Sequence, residues 1–132
     1  METSALAKKL RLQPGLRALI LNAPDGYVER LRPLPEGVEL AHTAGGKFDF
    51  VHLFARNSSD LAWMARQAVE AIEYDGVLWI SYPKKSAGVE TDLNRDVFWD
   101  ALEEDGLRPV SQVSIDDTWS ALRFRPAERV GK

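Results

Sequence analysis

The sequence contains no cysteine. This absence excludes disulfide bonds, thiolate nucleophiles and zinc–thiolate sites, and it is compatible with a reducing compartment. No apolar run reaches membrane-spanning length, and the first residues lack the apolar core of a signal peptide, so we expect a cytoplasmic protein with no membrane partner. With 17 basic and 20 acidic residues, the formal net charge of −3 argues against nucleic acid as a partner.

Metal-binding and nucleophile motifs are also missing. The two histidines, His42 and His52, are not spaced as a ligand pair, and no acidic cluster has metal-binding spacing, so the sequence predicts no metal site. His52 lies inside an apolar run, where a neutral, buried and hydrogen-bonded imidazole is the expected state. The glycine–lysine pattern of a P-loop and the Gly-x-Ser-x-Gly elbow are absent as well.

What is present is an alternation of strand and helix patterns along 132 residues, a length that suits one domain. We predict a single three-layer α/β domain over residues 1–125, followed by a flexible tail over 126–132. The predicted strands cover residues 17–21, 38–42, 48–55, 76–82, 110–115 and 119–124. Helical patterns occupy residues 4–10, 25–31, 60–72 and 91–102. The sheet should be mostly parallel and Rossmann-like, with a C-terminal hairpin that adds an antiparallel strand.

The third helical pattern has the clearest apolar face. Three- and four-residue spacing predicts that one set of its side chains is buried, namely Leu61, Ala65, Ala68, Val69 and Ile72. Trp63 lies off this stripe and should be exposed.

The turn after the first strand lacks the glycine motif that its context calls for. A strand that leads directly into a helix is where Rossmann-like folds hold a nucleotide cofactor, with glycines that let the ligand approach the backbone. Here residues 22–26 read Asn-Ala-Pro-Asp-Gly. Pro24 has no N–H, and only Gly26 is free to bend. We therefore expect no cofactor and no productive binding of S-adenosylmethionine.

The layout resembles the class I S-adenosylmethionine-dependent methyltransferase fold, and it is most similar to a family of small uncharacterised bacterial proteins with a truncated form of that fold. The motifs that carry the resemblance are Leu-Gln-Pro-Gly (12–15), Asn-Ala-Pro (22–24), Pro-Lys-Lys-Ser-Ala-Gly (83–88) and Asp-Asp-Thr-Trp-Ser (116–120). One helix–strand unit between residues 38 and 48 is missing, and no acidic residue ends the second strand. The resemblance implies the fold and transfers no reaction.

If the fold is right, several polar segments meet at the carboxyl ends of the strands. The predicted ligand-binding residues there are Asn22, Lys84, Lys85, Thr91, Asp116, Asp117, Thr118, Trp119 and Ser120. The lysines would attract an anion, and Asp116 or Asp117, with a raised pKa, would act as a general base. Thr91 would open a helix, and Trp119 would cover a planar ligand. The alternative is structural: the lysines are solvated or paired with the aspartates, and residues 116–120 form a hairpin turn.

Three functions remain open at this point. The pattern favours a non-methylating binding or regulatory module that takes a small anionic ligand at the strand carboxyl edge, without requiring catalysis. One alternative is a divergent S-adenosylmethionine-dependent methyltransferase. The other is a protein–protein interaction module that uses the exposed edge strand at residues 38–42, and a homo-oligomer is compatible with it.

Overall fold

The computed structural model describes residues 3–43, 45–93 and 102–130. In chain order, the elements are α1 (Ala5–Lys9), β1 (Arg17–Leu21), α2 (Tyr27–Leu31), β2 (Glu39–Ala41), β3 (Phe48–Phe54), α3 (Ser58–Ala71), β4 (Ile72–Pro83), β5 (Leu107–Ser114) and β6 (Trp119–Pro126). Short 3-10 turns occupy Lys85–Ala87, Glu103–Asp105 and Ala127–Arg129. Within these residues no helix is both long and apolar enough to cross a membrane.

The strands form one six-stranded sheet with the order β2-β1-β3-β4-β6-β5. The first four of these strands run parallel to one another. The last strand in the chain, β6, is inserted antiparallel between β4 and β5. The predicted α/β fold, a mostly parallel sheet with an antiparallel C-terminal strand, is therefore confirmed.

Side chains alternate between the two faces of the sheet, and each face has its own core. On the face covered by α3, called the α3 face here, the strands contribute Leu19, Val51, Leu53, Leu78 and Ile80. On the opposite face, called the α1/α2 face, they contribute Ala18, Ile20, Phe50, Trp79 and Ala121. Because both faces are buried, the central strands are apolar at successive positions, as their sequences indicated.

Helix α3 follows the predicted stripe over most of its length. The Asn57 side chain caps it by accepting a hydrogen bond from the Asp60 N–H at 2.8 Å. Its buried residues are Leu61, Met64, Ala65, Ala68 and Ala71, so the prediction is confirmed for three of the five positions. Val69 is half-buried, and Ile72 is not helical, because the backbone turns extended there and begins β4. Trp63 is 74% exposed, as expected.

Two predictions, the helix over 91–102 and the tail over 126–132, fall partly on residues outside the described part of the chain. The helix predicted over 91–102 falls mainly on residues 94–101, which lie outside the described part of the chain. Within the segment expected to form a flexible tail, Pro126 is the last residue of β6 and Ala127–Arg129 form a 3-10 turn. Arg129 of that turn donates to Asp75 at 3.3 Å, and the Ala127 N–H donates to the Gly106 carbonyl at 2.8 Å. These contacts join Ala127 and Arg129 to the rest of the domain.

Candidate functional site at the strand carboxyl edge

The strand order creates a switch point beside β1. From β1 the chain passes through α2 to β2 on one side, and later reaches β3 on the other side. Helices α2 and α3 cover opposite faces, so the connections diverge at the carboxyl ends of β1 and β3. In open α/β sheets, ligands bind in the crevice that such a divergence leaves.

A solvent-open pocket of about 370 Å³ lies at this edge. It is lined by the loop after β1, the first turn of α2 and the residue that follows β2, namely Ile20, Asn22, Ala23, Pro24, Asp25, Gly26, Val28, Glu29 and His42. The pocket thus combines an apolar base with two carboxylates and an imidazole. Of the residues predicted to bind a ligand, Asn22 alone appears in this lining.

Asn22 fixes the position of the β1 loop. Its backbone is left-handed, with φ of 59°, a conformation that asparagine tolerates better than most residues. Its side-chain amide donates to the Phe54 carbonyl at 2.8 Å, which ties the end of β1 to the end of β3. The loop is therefore held in place without the usual glycines.

Gly26 is the glycine of this loop and the N-cap residue of α2. Its φ of 85° is left-handed, and a Cβ added there would meet no atom within 4 Å. At this cap, the Arg30 N–H donates to the Gly26 carbonyl at 3.1 Å. Pro24 is part of the pocket lining, and the Tyr27 N–H donates to its carbonyl at 3.2 Å.

Beside this loop a buried hydrogen-bond chain joins α2 to the sheet. The Tyr27 hydroxyl lies 2.7 Å from His52 Nδ1, and His52 Nε2 lies 2.6 Å from Ser81 Oγ. Burial lowers the pKa of His52 to about 3, so the imidazole is neutral, as the sequence predicted. Burial also raises the pKa of Tyr27 well above its usual value, against a smaller opposing effect of Arg30. Tyr27 therefore stays protonated and His52 stays neutral near neutral pH, and the hydrogen-bond chain positions α2.

The second predicted group, the lysines and the β5–β6 turn, is brought together by the sheet. Pro83 pairs with Trp119, the Lys84 N–H donates to the Thr118 carbonyl at 2.7 Å, and Lys84 Nζ donates to Ser114 Oγ at 2.6 Å. Lys85 is exposed, and its side chain has no hydrogen-bond or ion-pair partner within the described residues. Lys84 therefore fastens β4 to the turn.

The Asp116 carboxylate stabilises that turn through hydrogen bonds and an ion pair. Its Oδ1 accepts from the Thr118 and Trp119 N–H groups, both at 2.8 Å, and its Oδ2 pairs with Arg30 at 2.9 Å. Partial burial works to raise the pKa of Asp116, but the two N–H donors and Arg30 outweigh burial and hold that pKa below its usual value. The expectation of a general base with a raised pKa is therefore wrong for Asp116. Its charge partner is Arg30 and not a lysine.

The neighbours of Asp116 are also engaged in structure. Trp119 is 6% exposed and packs edge-on against Phe54, with ring centroids 5.2 Å apart, so it presents no open face to a planar ligand. The buried Ser120 hydroxyl lies 2.8 Å from Gln112 Nε2. Asp117 is exposed on the turn.

Thr91 belongs to a loop that closes over the start of α3. Its hydroxyl donates to the Arg56 carbonyl at 2.6 Å and accepts from the Leu93 N–H at 3.1 Å. The neighbouring Asp92 carboxylate accepts from the Ser58 N–H at 2.8 Å and also bonds the Ser58 hydroxyl. These bonds to Ser58 hold the pKa of Asp92 below its usual value. The partial positive charge at the N-terminus of α3 is thus already compensated by a carboxylate of the chain itself, that of Asp92.

The predicted ligand-binding residues include Asn22 but none of the other residues that line the pocket. Asp25, Glu29 and His42 come from three different elements, and they become neighbours when α2 folds back along β1. The signal in the sequence was their position just after β1 and β2. Within the described residues, no three metal-binding side chains come together.

The fold is a truncated class I methyltransferase-like fold, and the solved structures similar to this chain agree. The N-methyltransferase NodS from Bradyrhizobium japonicum WM9, in complex with S-adenosyl-L-homocysteine, aligns over 93% of this chain and 88% of its own, with 15% identity and a TM-score of 0.59. Ribosomal protein L11 methylase from Lactobacillus delbrueckii subsp. bulgaricus aligns over 92% and 74%, with 12% identity and a TM-score of 0.56.

The fibrillarin pre-rRNA processing protein of Methanococcus jannaschii is a third similar structure. It aligns over 87% of this chain and 68% of its own, with 12% identity and a TM-score of 0.59. No protein-family model and no curated protein sequence matches the chain. At these identities the likeness is one of fold.

The comparisons correct two expectations drawn from the sequence. A non-methylating module for an anionic ligand is contradicted, because these structural neighbours are methyltransferases. The exclusion of S-adenosylmethionine is contradicted, because a neighbour with this fold was solved in complex with S-adenosyl-L-homocysteine. The physical reason for the error is that a missing glycine motif was equated with a closed loop, whereas the loop is open at Gly26.

Proposed function

We propose that the chain is a divergent S-adenosylmethionine-dependent methyltransferase that binds its cofactor in the pocket beside β1. The observation that carries the proposal is the open pocket of about 370 Å³ at the switch point, lined by residues 22–26 and His42. Its volume falls in the range of roughly 300–1,000 Å³ that is usual for small-molecule sites. The structural neighbours named above support the same reading.

The residues present fit an adenosyl group. The two carboxylates in the lining, Asp25 and Glu29, are acceptors for ribose hydroxyls, and they take the place of the acidic residue missing after β2. Ile20 and Val28 offer apolar contact, and His42 offers an exposed planar ring at the rim. The bound cofactor would supply the methyl group on its sulfonium. The chain's own contribution is to hold the β1 loop rigid through Asn22 and to leave the approach free at Gly26.

Calorimetry with S-adenosyl-L-homocysteine tests the binding step. We expect saturable binding by the wild type and an affinity about tenfold or more weaker in Asp25→Ala, because a hydrogen bond to a charged group contributes roughly 1.5–3 kcal/mol. Lys85→Ala is the matched control, since Lys85 is exposed at the same edge but outside the pocket, and its affinity should equal that of the wild type. No saturable binding by the wild type would refute the proposal.

The methyl-transfer step needs a separate measurement. Incubation of the protein with methyl-labelled S-adenosylmethionine and a small-molecule extract should release S-adenosyl-L-homocysteine, and Asp25→Ala should release it more slowly at limiting cofactor. Binding without any release over the background would leave a cofactor-binding protein that does not transfer methyl groups, which contradicts the proposal.

A further inference from the structure

Arg123 lies on the α1/α2 face of the sheet, outside the lining of the pocket at β1, and forms no ion pair within the described residues. It lies on β6, where it pairs with Trp79 of β4 on one side and with Ser111 of β5 on the other. Side chains of paired residues share a face, and Trp79 belongs to the α1/α2 core. Arg123 is half-buried, and its Nε is buried with no hydrogen-bond partner within the described residues.

The end of α1 brings a second cation, Arg11, to the same face of the sheet. The Trp79 indole N–H donates to the Leu10 carbonyl at 2.8 Å, which fixes the end of α1 over the β4–β6 strand pair. The next residue, Arg11, has a left-handed backbone with φ of 62° and an exposed side chain. Burial lowers the pKa of Arg123, and the charges of Arg11 and Arg125 act in the same direction.

The carboxylate that acts on the charge of Arg123, Asp75, is already paired with other arginines. Asp75 Oδ1 accepts from Arg125 Nε at 2.9 Å, and its Oδ2 accepts from Arg125 at 2.8 Å and from Arg129 at 3.3 Å. It is the one acidic group that raises the pKa of Arg123. A half-buried cation next to like charges is unfavourable unless an anion compensates it. The described residues do not supply that anion.

We propose that Arg11 and Arg123 form a binding site for the phosphate group of a small molecule. Two guanidinium groups match the two negative charges of a phosphate monoester, and their planar donor forks bind phosphate oxygens in pairs. Ser111, exposed on the neighbouring strand at the position paired with Arg123, provides a neutral hydroxyl donor at the same place. The site is independent of methyl transfer and of the β1 pocket.

Thermal unfolding in phosphate, compared with chloride at matched ionic strength, tests this site. Matched ionic strength matters because any salt screens the repulsion between the arginines. At phosphate concentrations near ten times Kd, the wild-type Tm should rise by about 3–6 °C. Arg123→Met should abolish the rise, and its Tm in chloride should equal or exceed that of the wild type, because the uncompensated charge is gone.

Two further variants keep the test decisive. Arg11→Met changes an exposed side chain, so the protein stays folded, and the phosphate-dependent rise should shrink by at least half. Arg32→Met is the control, since Arg32 is also exposed but lies at the end of α2, and the full rise should remain. A wild type with equal Tm in both salts, or a rise that survives in Arg123→Met, would overturn the proposal.

The source of the phosphate group is separated by two probes. Glycerol 3-phosphate should reproduce the rise in Tm if the ligand is a free phosphate ester. Vesicles that contain phosphatidate should sediment the wild type but not Arg11→Met if the group is a lipid headgroup, and this outcome would overturn the small-molecule assignment.

Discussion

The buried imidazole of His52 should make the protein unstable in mild acid, and the effect has a defined size. In the folded chain the ring lies between Tyr27 and Ser81, and burial lowers its pKa to about 3. In the unfolded chain the pKa returns to about 6.5. Below that value the unfolded state takes up a proton that the folded state does not, so stability falls as the pH decreases.

The magnitude follows from the gap between the two pKa values. At about pH 7.5 both states are neutral, and His52 titration contributes almost nothing to the free energy of unfolding. At about pH 4.5, two units below the unfolded pKa, the protonated unfolded state is favoured by about 3 kcal/mol, since one unit is worth about 1.4 kcal/mol. The loss levels off once the pH passes below the folded pKa of about 3.

Urea unfolding of the wild type and of His52→Gln across this pH range isolates the effect. Glutamine does not titrate, and its amide both donates and accepts hydrogen bonds, as the neutral imidazole does. Both proteins contain the same carboxylates, so the effect of carboxylate titration cancels in the difference between them. The wild type should lose about 3 kcal/mol relative to the variant between about pH 7.5 and 4.5. A relative change below about 0.5 kcal/mol would refute the assignment of a neutral, water-excluded imidazole.

Two further predictions concern packing. Gly76→Ala should destabilise the protein by about 1–3 kcal/mol, because the added Cβ would lie 2.9 Å from Ile72 Cδ1 and 3.0 Å from both the Asp49 and the Glu73 carbonyl oxygens. Gly45→Ala, where a Cβ meets nothing within 4 Å, is the matched control in the same urea titration, and equal losses at both glycines would contradict the steric account. Leu61→Ala should cost about 2–5 kcal/mol, because Leu61 is 5% exposed in the α3 core, whereas Trp63→Ala, at a position 74% exposed, should change stability by less than about 0.5 kcal/mol. A loss at Leu61 no larger than at Trp63 would mean that the buried face of α3 is assigned wrongly.

Much of the fold was predictable because periodicity reports burial directly. The apolar runs of β1, β3 and β4 read as buried parallel strands, and the three- and four-residue spacing of α3 identified its inner face as far as Ala68. The spacing failed at Ile72, since an apolar residue just past a helix continues the stripe whether the backbone stays helical or turns extended.

The site was harder to predict because its residues meet only through packing. Asp116 reads as half of an acidic pair, yet its charge partner, Arg30, is distant in the chain and is presented by α2 across the sheet edge. The β1 loop reads as closed because Pro24 lacks an N–H, whereas the pocket depends on how α2 and the end of β2 flank that loop. Local sequence determines turn geometry, but it does not determine which elements the turn faces.

The position of β6 has a consequence for the order in which the chain folds. β5 has its backbone ladder with β6 and does not pair with β4, so it has no place in the sheet until β6 has been made. During synthesis from the N-terminus, the four parallel strands β1 to β4 can assemble first, and β5 remains unpaired at that stage. The last strand to be synthesised then inserts between two earlier ones. Completion of the sheet therefore has to wait for β6, and deletion of β6 would unpair β5 and leave β4 as the sheet edge.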